Sequence, residues 1–502
     1  MSGIFGNTLW SLCYFAVLVG FSAYGIHRWA IIYLFLKNRR RVPQPAAQFE
    51  KLPTVTVQLP IYNERYVAER LLRAVNELDY PRERLEVQVL DDSTDDTREV
   101  VAREVERLRA TGLNVVHLHR TDRTGFKAGA LEYGMAQAAG DFIFILDADF
   151  LPAPDILHKT IHFFTDPGVG MIQTRWGHLN RAYSLLTRVQ AMFLDGHLLL
   201  EQTARSRSGR FFNFNGTAGL WRKSCIEASG GWQHDTLTED LDLSYRAQLA
   251  GWRFVFLSDV VTPAELPVDM NGFKSQQHRW TKGSIQTCKK ILPRILRSDL
   301  PWTIKLEATL HLTSNFCYLL LACLCVLLQA GSHGWTGWTR VWLFDVPVFM
   351  AASLSVAVFY ICAQRELHPR TWMREMLLLP ALIALGIGLS LNNAKAVLEA
   401  LFNKSSAFVR TPKYGIGDRP ATRASQQAWR GSRYLPMRSL LPLLELAFAV
   451  YFTWFVYSAA VKGQFTSLPF LIFFQAGFCY VAFCSLAQWL PERPRVGGAA
   501  AA

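Results

Sequence analysis

Two kinds of hydrophobic patterning divide the chain. From residue 51 to 305, short apolar runs alternate with dense charge, whereas 8–27, 306–333, 343–363, 440–444, 446–461 and 465–491 are almost uncharged. A helix needs about 20 apolar residues to cross ~30 Å of hydrocarbon, so several of these stretches are long enough to span a bilayer. Within the charged block, "TVTVQLPIYNE" alternates with the period of a strand, a helical stretch follows from Val67, and "LEVQVLDDS" reads as a buried strand. A helix over 96–111 leads to "LNVVHLHR", and the helical "AGALEYGMAQAAG" leads to "DFIFILDADF". Strands alternating with helices predict an α/β domain built on a parallel, doubly wound sheet.

Composition and charge refine this picture. The chain has 502 residues, 50% of them hydrophobic, and a formal net charge of +13. Much of the positive excess flanks the apolar segments, where the positive-inside bias accounts for it, so nucleic acid is excluded as a partner. Arg39, Arg40 and Arg41 follow the first apolar run, which puts the charged block in the cytoplasm. That first run continues through "WAIIYLFL" with no small-residue cleavage site before "KNRRR", so it reads as a retained anchor. Seven of nine cysteines lie in apolar runs and none forms a CxxC pair, which suits packing better than zinc or disulfides.

One apolar segment resists assignment as a span. Residues 376–391 are short, are interrupted by Pro380, Gly386 and Gly388, and precede a cation-rich stretch over 395–438 that would otherwise lie outside. The expectation is an interfacial or re-entrant helix and five spans, with a sixth span as the alternative. The predicted organisation is a transmembrane anchor (1–41), a cytoplasmic catalytic domain (42–300), a transmembrane helix pair (301–370), an interfacial helix with a loop (371–438), a second transmembrane pair (439–491) and a disordered tail (492–502).

Ligands bind beyond the carboxyl ends of strands in such sheets, and there the sequence places Asn63 with Glu64, Asp91 with Asp92, and Asp147 with Asp149. Neither GxGxxG nor GxxxxGK[ST] follows these strands, which leaves a Rossmann dinucleotide site and a P-loop unsupported. "DAD" over 147–149 puts two carboxylates on one side of an extended segment, as a hard divalent cation on a diphosphate requires. "LTEDLDLSYR" sets Glu239, Asp240 and Asp242 near a helix start, where they are either cap and dipole residues or the source of a general base. In "QQHRWTKG", Gln276 and Arg279 share a helix face at i and i+3, beside Trp280. Trp, Lys and Arg also suit a headgroup region whatever the chemistry.

The ordered series "QLPIYNE", "QVLDDSTDDT", "GFKAGAL", "DADF", "FNFNGTAGLWR", "TEDLDLSYR", "QQHRWTKG" and "FVRTPK" resembles the family 2 glycosyltransferases, in particular the membrane-embedded cellulose-synthase-like branch of mannan and glucan synthases. The resemblance runs from about residue 53 to 413. It implies a GT-A fold and inverting transfer of a sugar from a nucleotide diphosphate, with Mg2+ or Mn2+ as cofactor. Tyr62, Glu64, Asp91 and Asp92 match donor-binding positions, Lys127 the basic residue near the donor, Asp147 the donor sugar or diphosphate, and Asp149 the metal. Asp147 is counted with Asp149 at the metal. Asp240 matches the general base, and Gln276, Arg279 and Trp280 the QxxRW signature, the first two at the diphosphate and Trp280 on the acceptor sugar. Asn215, Gly216, Thr217 and Glu239 fall on the acceptor side, although "FNGT" lacks the Cys that bacterial cellulose synthases carry there. Phe408, Arg410, Thr411 and Lys413 lie in a stretch resembling the gating loop of processive synthases; an anionic-lipid-binding loop is the simpler alternative.

The resemblance therefore implies a processive β-glycan synthase in a lipid bilayer, with UDP-glucose as first-choice donor, GDP-mannose as second, and a glycan as acceptor. Its expected location is a bacterial inner (plasma) membrane with room for accessory export subunits. A non-processive enzyme glycosylating a membrane lipid is the closest alternative, and a transporter or scaffold without catalysis the third.

Overall fold

The computed structural model describes residues 2–328, 346–405, 409–417, 422 and 439–489. Its centre is a seven-stranded sheet in the order β3-β2-β1-β4-β6-β5-β7. The first four strands, β1 (Val55–Ile61), β2 (Leu85–Asp91), β3 (Asn114–His119) and β4 (Phe142–Ile145), lie where the alternating and apolar runs predict them, and they pair in parallel. The register sets Ile61 opposite Asp91 and Asp91 opposite His119, so the polar residues after these strands emerge along one edge.

The expectation of an all-parallel sheet needs correction. β6 (Gly219–Arg222) runs antiparallel to both β4 and β5 (Val169–His178), while β7 (Arg253–Ala264) pairs in parallel with β5. Only four residues long, β6 follows directly from "FNGT", and its reversal returns that turn to the end of β4. A strand so short leaves little periodicity to read.

Helices cover both faces of the sheet. The apolar sides of Ala68–Asn76 and Thr97–Ala110, through Leu71, Leu72, Val75, Val101 and Leu108, join Val57, Val87 and Phe144 in one core. Opposite it, Phe126–Met135 and Glu239–Leu249 contribute Leu131, Met135 and Leu243 to a second core with Ile143, Trp221 and Phe256.

Among the described residues, four helices are long and apolar enough to cross a bilayer: Leu9–Asn38, Val346–Leu367, Leu441–Val461 and Leu468–Leu486. The segment expected as the second span is divided into Trp302–Thr313 and Phe316–Leu327, bent by 55°. Trp372–Gly388 and Ser390–Leu401 form another bent pair, at 42°, and counting each pair as one span raises the number to six. Pro380 lies in the first turn of the α-helical part Leu379–Gly388, which follows a 3-10 turn at Met376–Leu378, so its missing N–H costs nothing. This geometry fits a re-entrant pair and a broken span equally.

The helix Met270–Arg297 joins the sheet domain to these segments. Its Met270 and Phe273 pack with Leu382 and Leu385, and its Ile285 packs with Val397 and Ala400. Lys274 Nζ lies 2.6 Å from Glu445 Oε1, with both side chains buried. Lys282 is also buried and donates to the Lys404 carbonyl at 2.7 Å. In sequence these lysines look like a generic basic collar; here they lock the helix in place.

Candidate active site

One cavity opens at the carboxyl edge of the sheet and gathers most of the predicted residues. Tyr62, Glu64, Asp92, Lys127, Asp147, Asp149, Asn215, Gly216, Glu239, Asp240, Gln276, Arg279, Trp280, Arg410, Thr411 and Lys413 all line it. These residues come from four strand ends, the helix Phe126–Met135 that carries Lys127, the helix starting at Glu239, the helix carrying QxxRW, and the loop over 409–417. Phe408 lies outside the described residues.

The centre is organised by the turn Asn215–Thr217. Lys127 Nζ donates to Asp147 Oδ1 at 2.5 Å and to the Gly216 carbonyl at 2.9 Å. The Asp147 N–H donates to Thr217 Oγ1 at 2.8 Å. Gly216 has φ +86°, and a Cβ there would lie 3.0 Å from Asp240 Oδ2. Only a glycine lets the turn pass so close to that carboxylate. Burial pushes the Asp240 carboxyl up to about 7, reinforced by the charge of neighbouring Glu239. Burial opposes the Lys127 charge as well, but Asp147, Glu239 and Asp240 hold its pKa above the usual lysine range.

Two predicted positions need a different account. Asp91 is fully buried and accepts from the Ser93 N–H at 2.8 Å, with His117 Nε2 also 2.8 Å away, so it braces the β2 turn instead of facing the cavity. Burial opposes its charge, but these bonds hold its carboxyl below the usual range. Thr217 is buried too and does not line the cavity; its hydroxyl accepts from the Asp147 N–H and so supports that acid. Asp92 does reach the cavity, bridged by Arg120 at 2.8 and 2.6 Å.

Cations sit on the acids at the ends of β1, β2 and β4. Arg410 lies 3.3 Å from Glu64, whose carboxyl burial pushes up to about 7 despite that guanidinium. Lys413 Nζ lies 2.7 Å from Asp149 Oδ2. Among the described residues, no group of three or more His, Cys, Asp or Glu side chains is placed to hold a metal by itself. A hard cation with one or two carboxylates and the remainder of its shell from diphosphate and water needs no such group, so Asp149 and Asp147 fit Mg2+ or Mn2+. The Lys413 ammonium already places one positive charge on Asp149.

Part of the cavity wall is aromatic. The Trp280 ring lies 6.5 Å from Trp176, whose ring meets Phe150 edge-on at 5.1 Å. β5 shifts register between Thr174 and Arg175, just before Trp176 and His178 reach the cavity. Sequence reading missed Trp176, His178, Arg123 and Glu265, which also line the cavity. Arg123 sits 3.3 Å over the Tyr62 ring, a stacking that no local spacing announces. Glu265 had a weak signal, an acid flanked by two prolines directly after an apolar strand.

Comparisons with known proteins place the chain in a family. Residues 53–283 match the family described as "Glycosyltransferase like family 2". The chain is 32% identical over 487 residues to glucomannan 4-beta-mannosyltransferase 7 of Arabidopsis thaliana, covering 92% of this chain and 84% of that one. It is 42% identical over 269 residues to glucomannan 4-beta-mannosyltransferase 1 of Oryza sativa, covering 53% and 51% respectively. The structure of mannosyltransferase PcManGT from Pyrobaculum calidifontis, solved with GDP-Man and Mn2+, aligns over 79% of this chain and all of that one, with a TM-score of 0.54 and 21% identity, which is a likeness of fold. The protein is a glycosyltransferase of family 2 with a GT-A fold. Within that family it belongs to the cellulose-synthase-like branch. Both named relatives are plant enzymes, so the expectation of a bacterial inner membrane has no support from them.

Proposed function

We propose that the protein is an inverting β-glycan synthase that transfers mannose from GDP-mannose to a growing chain, using Mg2+ or Mn2+. This reverses the donor order expected from sequence, where UDP-glucose came first. One observation carries the reading: Lys127, Asp147, Asp149, Asp240 and Arg279 line a single cavity in a chain that aligns with 84% of a glucomannan mannosyltransferase.

The residues divide the chemistry. Asp240, its carboxyl near 7, is suited to take the proton from the attacking sugar hydroxyl. Lys127 and Arg279 face the departing diphosphate with fixed positive charge, which stabilises it most when water is excluded. A cation held by Asp149 and Asp147 would act there as a Lewis acid. Tyr62 and Arg123 form a stacked wall for the base, and Gln276 adds a hydrogen-bonding amide to the donor side. Trp176 and Trp280 form the platform for the acceptor sugar, with Asn215 and Glu239 beside it.

Processive synthesis is favoured over glycolipid formation by the 409–417 loop lying across the donor side of the cavity. In this reading residues 42–300 form a cytoplasmic catalytic domain, the apolar helices hold it in a bilayer, and the product leaves between them. The test incubates membranes containing the protein with labelled GDP-mannose or UDP-glucose, separates polymer from lipid-extractable label, and digests the polymer with β-mannanase. Mannanase-sensitive polymer from GDP-mannose is the expected result; label confined to the lipid phase would overturn the polymer reading.

A further inference from the structure

The loop over 409–417 does more than cover the cavity; it is bound to a receptor. Glu265 follows the last residue of β7 and is 2% exposed. Tyr414 N–H donates to Glu265 Oε1 at 2.8 Å and Ile416 N–H to Glu265 Oε2 at 3.0 Å. Between these amides, Gly415 takes φ +73°, and a Cβ there would lie 2.9 Å from the Tyr66 carbonyl. A left-handed residue between two amides aims both at one anion, as in other backbone nests. Lys413 Nζ donates to the Glu265 carbonyl, and Arg70 Nη2 lies 3.4 Å from Glu265 Oε2.

The receptor side is rigid. The Leu179 N–H donates to the Ala264 carbonyl at 2.8 Å, and buried Asn180 clamps both backbone groups of Leu266, donating to its carbonyl at 2.9 Å and accepting from its N–H at 2.8 Å. Gln190 donates to the Pro267 carbonyl at 2.8 Å. The Glu265 carboxylate is thus held where a buried charge requires hydrogen bonds, and both short bonds come from the loop. Tyr414 and Ile416 pack on Tyr183 and Val268, which gives the docked loop an apolar seat.

We propose that Glu265 is a positioning residue: the docking receptor that seats residues 413–416 by two backbone bonds to one carboxylate and so presents Thr411 and Lys413 to the donor. It acts through the loop and touches no reacting atom. Its consequence for donor affinity rests on the function proposed above, whereas its effect on the loop does not.

The experiment follows amide exchange by mass spectrometry in the full-length protein without donor, using wild type, Glu265→Gln, Glu265→Ala and Gly415→Ala. Peptides from β1 and β2 serve as the folding control. Wild type should protect Tyr414 and Ile416. The Gln variant keeps one acceptor and should lose about tenfold in protection there, the Ala variant more, with β1 and β2 unchanged. Gly415→Ala approaches from the loop side and should match Glu265→Gln without altering the sheet. In parallel, the GDP-mannose KM should rise about tenfold in these variants with a smaller change in kcat, a split that general destabilisation would not produce. Wild-type protection over 414–416 in both Glu265→Gln and Gly415→Ala would overturn the proposal. Lost protection with no donor effect at any nucleotide sugar would instead contradict the function assigned to the site.

Discussion

Lys413 Nζ rests 2.7 Å from Asp149 Oδ2, and both side chains are more than nine-tenths buried. An ammonium from the loop therefore occupies the carboxylate that a divalent cation would use. If Asp149 holds the metal as proposed, the two cations compete for one anion and loop docking is coupled to metal binding. Lys413→Ala should bind Mn2+ in the absence of nucleotide about tenfold more tightly than wild type, as read by loss of the free Mn2+ signal in electron paramagnetic resonance. The same variant should bind donor less well, because it lacks a cation for the diphosphate.

Asp240 is the group whose protonation should govern turnover. Its carboxyl, pushed up to about 7 by burial and by Glu239, is neutral below that pH and cannot act as a base. The profile of kcat/KM should therefore fall about tenfold per pH unit on the acid side of 7 and level off above it. Glu64, also pushed up to about 7, titrates over the same range, and because its protonation weakens the hold on Arg410 the limb steepens beyond tenfold per unit if both carboxylates must be charged. A limb centred near 4 would contradict the assignment.

Gly216 is set by geometry and not by chemistry. With φ +86° and a prospective Cβ 3.0 Å from Asp240 Oδ2, alanine there strains the turn and pushes the base aside. Gly216→Ala should cost about 1–2 kcal/mol in stability and at least tenfold in kcat. Thermal melting and steady-state kinetics read the two effects separately.

The buried pair Lys274–Glu445 ties the QxxRW helix to the helix Leu441–Val461. Removing one partner leaves an uncompensated buried charge, so Lys274→Ala or Glu445→Ala should each lose about 3–5 kcal/mol. Lys274→Met combined with Glu445→Leu should recover most of that loss. Melting of the four proteins in one detergent checks the cycle.

The parts of this molecule that were legible in the sequence are those where one residue pattern serves one local structure. β1 to β4 follow from alternation and apolar runs, and the acids after them follow from the rule that parallel sheets bind ligands at their carboxyl ends. The reversal of β6 was not legible, because four residues carry no reliable period and its partners come from distant segments. Among site residues, Asp149, Asp240 and Arg279 stand in motifs, whereas Glu265 gains its role only because a loop nearly 150 positions later folds back on it. Asp91 and Thr217 show the opposite case. Both stand in motifs next to cavity residues, yet their side chains are buried, where they hold Asp147 and the β2 turn. Lys274 and Lys282 have partners, Glu445 and the Lys404 carbonyl, that sequence alone cannot reveal.

The measurement that bears most directly on the central claim is nucleotide release by purified protein. Wild type with Mn2+ should release GDP from GDP-mannose faster than UDP from UDP-glucose, and Asp240→Asn should reduce that release by about 10²–10⁴-fold while still binding donor. Faster UDP release, or equal GDP release by the Asn variant, would contradict the account.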